Sequence, residues 1–197
     1  MIENKELMDL LSERRTYRRF DESRKIPDEV ISDMKYSAQL SSSAMNRQPL
    51  KYIYVRTAEI VNNIFDITSW GGAIPNGEGR PKVGERPNMF VVVLEDKSLQ
   101  SKFTSLDVGL SISNMKLCAM NHGVGSCIIG SVNCEKLREM INIPDDYDVN
   151  VIVAFGYPAH KSRIVEMQDS NSIKYFLDDD KNYVVPKRKI DDVNEEM

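Results

Sequence analysis

Arg14-Arg15-Thr16-Tyr17-Arg18-Arg19-Phe20 crowds four arginines into one short stretch. Like charges this dense repel one another unless an anion sits among them. Guanidinium forks suit phosphate oxygens, which they grip bidentately. A solvated basic turn, neutralised by Glu13, Asp21 and Glu22, is the plainer alternative. Two further stretches weigh against it: Ser41 to Pro49, and the basic run Pro186-Lys187-Arg188-Lys189 near the C-terminus. The expectation is an anionic small molecule held by separated pieces of chain.

Composition narrows the class of ligand. The net charge is −4 over 197 residues, and the isoelectric point is about 5.3. An acidic chain whose basic residues are local suits a small anion better than a nucleic acid. The length suits a single domain spanning residues 1–197, and apolar and charged fractions are those of a globular protein. Cys118, Cys127 and Cys134 lack CxxC spacing, and His122 and His160 stand alone, so no metal site is expected. No apolar run is long enough to span a bilayer and no signal-peptide core opens the chain, which reads as cytoplasmic with no membrane partner.

Outward from the arginines, the periodicity predicts alternating helices and strands. Glu3 to Glu13 carries Leu7, Leu10 and Leu11 on one helical face. Pro27 opens a second helix whose Val30, Ile31, Met34 and Ala38 face inward. Lys51–Val55, Met89–Leu94, Val124–Gly130 and Val149–Phe155 read as strands, Thr57 and Asn133 as N-caps of short helices. Phe103 to His122 predicts the longest helix, touched on more than one side, with Leu106, Leu110, Ser113, Leu117 and Met120 recurring at helical spacing and Gly123 at its C-terminal stop. Its width of apolar stripe, and Gly109, Ser111, Ser113 and Ala119, point to a central helix and a dimer interface. Trp70 to Pro87 is a glycine- and proline-rich loop, with Trp70 equally suited to stacking on a ligand or to pinning the loop. Beyond Lys161 the chain is polar and irregular, but Tyr175, Phe176, Tyr183, Val184 and Val185 predict that it docks on something.

No single stretch supplies a catalytic constellation. Asp178-Asp179-Asp180 lacks the glycine and glutamate of an EF-hand loop. Gly123-Val124-Gly125 precedes a strand and satisfies no dinucleotide fingerprint. Cys127 among apolar neighbours is a poor nucleophile.

Taken in order, however, the stretches resemble the FMN-dependent nitroreductase family. Its R-R-[ST]-x-R-x-[FY] element matches Arg14–Phe20, and its A-P-S-x-x-N-x-Q-P element matches Ser41-Ser42-Ser43-Ala44-Met45-Asn46-Arg47-Gln48-Pro49. The G-x-G-[ST]-C-x-x-G element matches Gly123–Gly130, Ile143-Pro144-Asp145-Asp146-Tyr147 and Ala154-Phe155-Gly156-Tyr157-Pro158 follow, and Val185-Pro186-Lys187-Arg188 closes the series. Ser42 stands where proline is usual and Leu50 where an aromatic is common.

The resemblance implies an α+β nitroreductase-like fold: a central mixed, mostly antiparallel sheet flanked by helices, with an extended C-terminal segment docking on a partner subunit. It implies a homodimer with FMN at the interface, touched by both subunits. Arg14, Arg15, Thr16 and Arg18 would hold the phosphate, ribityl chain and pyrimidine edge, and Arg188, helped by Lys187, would reach the same phosphate. Ser43, Ala44, Asn46 and Gln48 would line the flavin's polar edge, and the Ile128, Ile129 and Gly130 backbone would lie beside the ring. No side chain is expected to be catalytic, because the flavin carries the chemistry. The implied activity is ping-pong hydride transfer from NADH or NADPH through FMN to a small electron-poor acceptor such as a nitroaromatic or quinone. A flavin carrier or sensor, or a relative with dehalogenase-type or flavin-breakdown chemistry, is the alternative.

Overall fold

The computed structural model describes residues 3–168 and 173–196. Its centre is strand β2 (Met89–Asp96), whose continuous apolar run needs cover on both faces. Side chains alternate across a strand, so Met89, Val91 and Val93 point into one core and Phe90, Val92 and Leu94 into the other. Helices α2 (Asp28–Gln39) and α4 (Thr104–Asn121) cover the first face. Helices α3 (Ala58–Asp66) and α5 (Cys134–Ile141) cover the second, through Val61, Ile64, Phe65 and Leu137.

Strands β1 (Leu50–Val55), β3 (Gly125–Ile129) and β4 (Tyr147–Gly156) complete a four-stranded sheet ordered β1-β2-β4-β3, antiparallel at every pairing. The mixed character expected of the sheet lies elsewhere. Strands β5 (Ser162–Glu166) and β7 (Tyr183–Lys187) pair in parallel, and β6 (Phe176–Leu177) joins β7 antiparallel, forming a second small sheet. The C-terminal segment therefore has regular structure, and Tyr183 and Val184 are buried against their own chain.

The local expectations hold at most elements. Val30, Ile31, Met34 and Ala38 are the buried face of α2, and the Asn133 Oδ1 accepts the Lys136 N–H at 3.1 Å, capping α5. Thr57 occupies the N-cap of α3 without a side-chain cap bond. The longest helix is the exception. Val108, Ile112, Met115 and Ala119 face the sheet, whereas Leu106 and Leu110 are 59% and 40% exposed. Apolar residues lie on both sides of α4, so periodicity fails to choose the inward one; the sheet takes the face carrying the β-branched residues. Helix α1 (Asn4–Glu13) packs on α4 and buries no residue of its own. Leu7, Met8, Phe103, Leu106 and Leu110 are thus left as exposed apolar surface on these two helices.

Candidate functional site

The arginine stretch is positioned by two aromatics and an edge strand. Arg14 caps α1, its N–H donating to Leu10 O at 3.0 Å. The chain then runs along β3: Thr16 bridges Ser126 in parallel, and the Tyr17 N–H donates to Ser126 O at 2.9 Å. Tyr17 and Phe20 turn into the core, and the Tyr17 hydroxyl donates back to Glu13 O at 2.9 Å. Burying those two rings leaves Arg14, Arg15 and Arg18 outside the core.

Their charges are not neutralised. Asp21 accepts from the Ser23 hydroxyl and N–H, and Glu22 accepts from the Gly84 and Arg86 N–H groups. Glu13 makes no ion pair among the described residues. Among the described residues, only Arg19 of this stretch finds an acid, Glu85 at 3.9 Å. The Nε atoms of Arg14 and Arg15 are buried and have no hydrogen-bond partner among the described residues. Burial first, then the neighbouring Arg14 charge, lowers the Arg15 pKa. Lys116 of α4 adds a further cation: burial, then Arg14, lowers its pKa as well. Orphaned buried donors beside cations with no acid partner among the described residues fit an oxyanion better than a solvated turn.

Next to this cluster, Arg18 helps line a cavity of about 190 Å³ with Trp70, Cys127, Ile128, Gly130 and Tyr175. Successive residues of a strand point their backbone groups to opposite edges. Since Ser126 bonds Tyr17 on the outer edge, Ile128 and Gly130 also present their amides outward. A Cβ placed at Gly130 would meet nothing within 4 Å. Larger cavities exist, one of about 480 Å³ beside Lys25, Arg56 and Asn62. Arg56 there is paired with Asp28 at 2.6 Å.

The loop from Trp70 pins itself and walls this cavity at once. The Trp70 indole N–H donates to Thr68 Oγ1 at 2.8 Å, and its ring lies 5.5 Å from that of Phe65. The Arg80 guanidinium donates to Thr68 O and Phe65 O. From the C-terminal segment, Tyr175 and Tyr183 lie 4.2 and 5.0 Å from the Arg18 guanidinium carbon, within cation–π range.

His160 holds the Arg18 backbone. Its Nε2 accepts the Arg18 N–H at 3.0 Å, and its Nδ1 donates to Lys161 O at 2.8 Å, which defines the tautomer. Burial, with smaller contributions from Arg19 and Arg18 against the Lys161 bond, pushes its pKa down to about 4. The folded state thus favours neutral imidazole relative to the unfolded chain, where histidine titrates near ~6.5. The stability it contributes is complete above that value and is lost as pH falls toward about 4. Thermal melts of wild type and His160→Gln between neutral pH and pH 4 test this. The variant is expected to show the shallower loss of Tm on acidification; parallel profiles would refute the assignment.

Ser43–Gln48 forms a separate cluster. Met45, Asn46 and Gln48 all adopt left-handed backbone, at φ 53°, 52° and 51°, a strained arrangement for non-glycine residues and one concentrated at functional positions. It is held by the Gln48 N–H donating to Ser43 Oγ at 3.0 Å and the Ala44 N–H donating to Asp107 Oδ1 at 2.9 Å. Asp107 is buried in the first turn of α4, and its other oxygen has no partner among the described residues. Asp107, bonded to Ala44, and Lys116, which interacts with Arg14 and Arg15, lie on one helix, roughly 14 Å apart along the axis at 1.5 Å per residue.

Of the residues expected at the site, the structure thus gathers Arg14, Arg15, Thr16, Arg18, Ile128, Ile129 and Gly130 around the β3 edge. Ser43, Ala44, Asn46 and Gln48 stand apart, near Asp107. Lys187 and Arg188 leave the end of β7 exposed, and the Arg188 guanidinium donates to Asp192 O at 2.5 Å. No hydrogen bond or ion pair among the described residues joins either to the arginine stretch. Sequence reasoning missed Lys116, Asp107, His160 and the ring of Tyr175 over Arg18. The two α4 residues carried one available signal: a charged side chain inside a helix otherwise rich in apolar and small residues.

Residues 11–157 match the model described as the Nitroreductase family. A relative in Archaeoglobus fulgidus, provisionally named NADH dehydrogenase/NAD(P)H nitroreductase, is 28% identical over 83% of this chain and 92% of its own. An iodotyrosine deiodinase of Thermotoga neapolitana is 24% identical over 78% of this chain and 89% of its own. A Desulfovibrio desulfuricans protein solved in complex with FMN shares the fold with a TM-score of 0.68, at 16% identity over 100% of this chain and 98% of the other. Strands β5–β7, with Lys187 and Arg188, lie beyond the residues that the family match covers.

Proposed function

The chain belongs to the nitroreductase family, and from that membership we propose that it is an FMN-dependent oxidoreductase passing hydride from NADH or NADPH to a small electron-poor acceptor. The observation that carries this reading is the unneutralised cluster at the β3 edge, with the orphaned Nε atoms of Arg14 and Arg15 at its base. Arg14, Arg15 and Thr16 would hold the FMN phosphate and ribityl chain, Arg18 the pyrimidine edge, and the outward Ile128 and Gly130 amides would lie beside the ring. When bound, FMN supplies the hydride chemistry. The chain's own groups bind it, orient it and wall the cavity against water, with Trp70 and Tyr175 on its flanks.

The roughly 14 Å between the two clusters along α4 supports a homodimer. Ser43, Ala44, Asn46 and Gln48 of one subunit would complete the cluster of the other, across the apolar face of α1 and α4. Since Tyr183 and Val184 are buried within the chain, docking of the C-terminal segment on a partner would rest on residues after β7, and there Arg188 and Lys187 would reach the phosphate. A single cytoplasmic FMN-binding domain over residues 1–197 is part of the same proposal; no helix among the described residues is long and apolar enough to cross a membrane.

The test is the visible spectrum of the purified protein, followed by anaerobic NADH and then NADPH. Flavin absorption that bleaches on addition is the expected result, and the nucleotide that bleaches it faster is the donor. A protein that neither carries nor takes up FMN would refute the proposal. Likeness to the iodotyrosine deiodinase favours dehalogenation as the second reading, supported if the reduced protein reoxidises with a halogenated phenol and not with nitroaromatics or quinones.

A further inference from the structure

We propose that Lys116 is a phosphate-binding residue of this site, a third cation beside Arg14 and Arg15 that selects the phosphorylated flavin over the unphosphorylated one. The inference rests on the flavin reading and goes beyond it, because no motif includes Lys116.

Three placements converge on it. Helix α1 packs on α4 and ends at Arg14, so the arginine stretch begins against α4. Strand β3 also packs on α4 and holds Thr16 through Ser126. Lys116 of α4 is half-buried and interacts electrostatically with Arg14 and Arg15 after α1 and with Cys127 on β3. No carboxylate pairs with its ammonium among the described residues.

A half-buried, unpaired lysine facing two arginines is unfavourable three times over. It loses hydration, it meets like charge, and it sits among buried guanidinium donors that are themselves orphaned. The α4 dipole offers little relief, since its effect is confined to about the last turn, and Lys116 precedes it. A doubly charged phosphate removes all three penalties together. An ammonium is a point charge with rotatable donors, suited to phosphate where no planar fork fits. A leucine or methionine at this position would serve α4 packing as well; the ammonium is what packing does not require.

The experiment is titration of the flavin-depleted full chain with FMN and with riboflavin, followed by flavin fluorescence, for wild type, Lys116→Met and Lys116→Arg. Wild type is expected to prefer FMN. Lys116→Met should weaken FMN at least tenfold, leave riboflavin within about twofold, and lose most of the discrimination, as removal of one charge-assisted contact predicts. Lys116→Arg should restore most of the FMN affinity. Unchanged FMN affinity in Lys116→Met overturns the proposal, and so does an equal loss for both flavins, which would mark a packing role. A wild type that binds neither flavin refutes the flavin reading itself, and this assignment with it.

Discussion

Arg14→Ala combined with Arg15→Ala is expected to purify colourless and to bind added FMN weaker by a factor of about 10² to 10⁴. Each guanidinium contributes a charge-assisted contact of roughly 1.5–3 kcal/mol, and tenfold in affinity corresponds to about 1.4 kcal/mol. The two side chains are adjacent and share one anion, so the lower end is the firmer expectation. The apoprotein should respond in the opposite sense. The two arginines repel each other and Lys116 with no acid among them, so deleting them is expected to leave the apo Tm unchanged or raise it. Isothermal titration with FMN and thermal melts with and without FMN separate the two effects. A double variant that binds FMN within threefold of wild type would show that the phosphate lies elsewhere. A variant whose apo Tm collapses would show that the arginines are structural.

Gly125→Val should cost about 3 kcal/mol or more, at the upper end of what overpacking produces. A Cβ at position 125 would meet the Tyr17 ring at 2.7 Å and Pro158 at 2.8 Å. Neither is the loose end of a flexible chain. Tyr17 is tied by its N–H to Ser126 and by its hydroxyl to Glu13, and Pro158 forms an antiparallel β-bridge with Phe20. Relief requires the Arg14–Phe20 stretch to lift from β3, which would carry Arg14, Arg15 and Arg18 out of register with Ile128 and Gly130. The expected signature is a Tm lower by roughly 6–12 °C for a chain of this size, together with loss of FMN. Retention of both would mean that Gly125 is not what seats Tyr17.

Much of the architecture could be read from local pattern. The run Met89–Leu94 has no polar face, and both of its faces are covered. In α2, the four residues expected inward are the four buried. The arginine stretch was legible for an electrostatic reason: four like charges in one stretch are costly, and among the described residues no acid pairs with three of them. Elsewhere pattern was ambiguous. Helix α4 carries leucines on one side and Val108, Ile112 and Met115 on another, and its inward face is decided by which side meets the sheet. The C-terminal segment looked irregular because its strands are two to five residues long and pair with partners remote in sequence.

What the amino-acid sequence determined by itself is therefore the helices and the strands of the main sheet, together with an unusually dense arginine stretch, since these follow from neighbours along the chain: helical or strand period, and charge density. Tertiary structure alone decided how the site is assembled. It placed Lys116 beside Arg14 and Arg15, set Asp107 under Ala44, put the His160 imidazole on the Arg18 amide and laid Tyr175 over the guanidinium. It also parted Ser43–Gln48 from the arginines along α4. These are contacts between residues far apart in sequence, and their free energy depends on burial and distance, which no local period encodes.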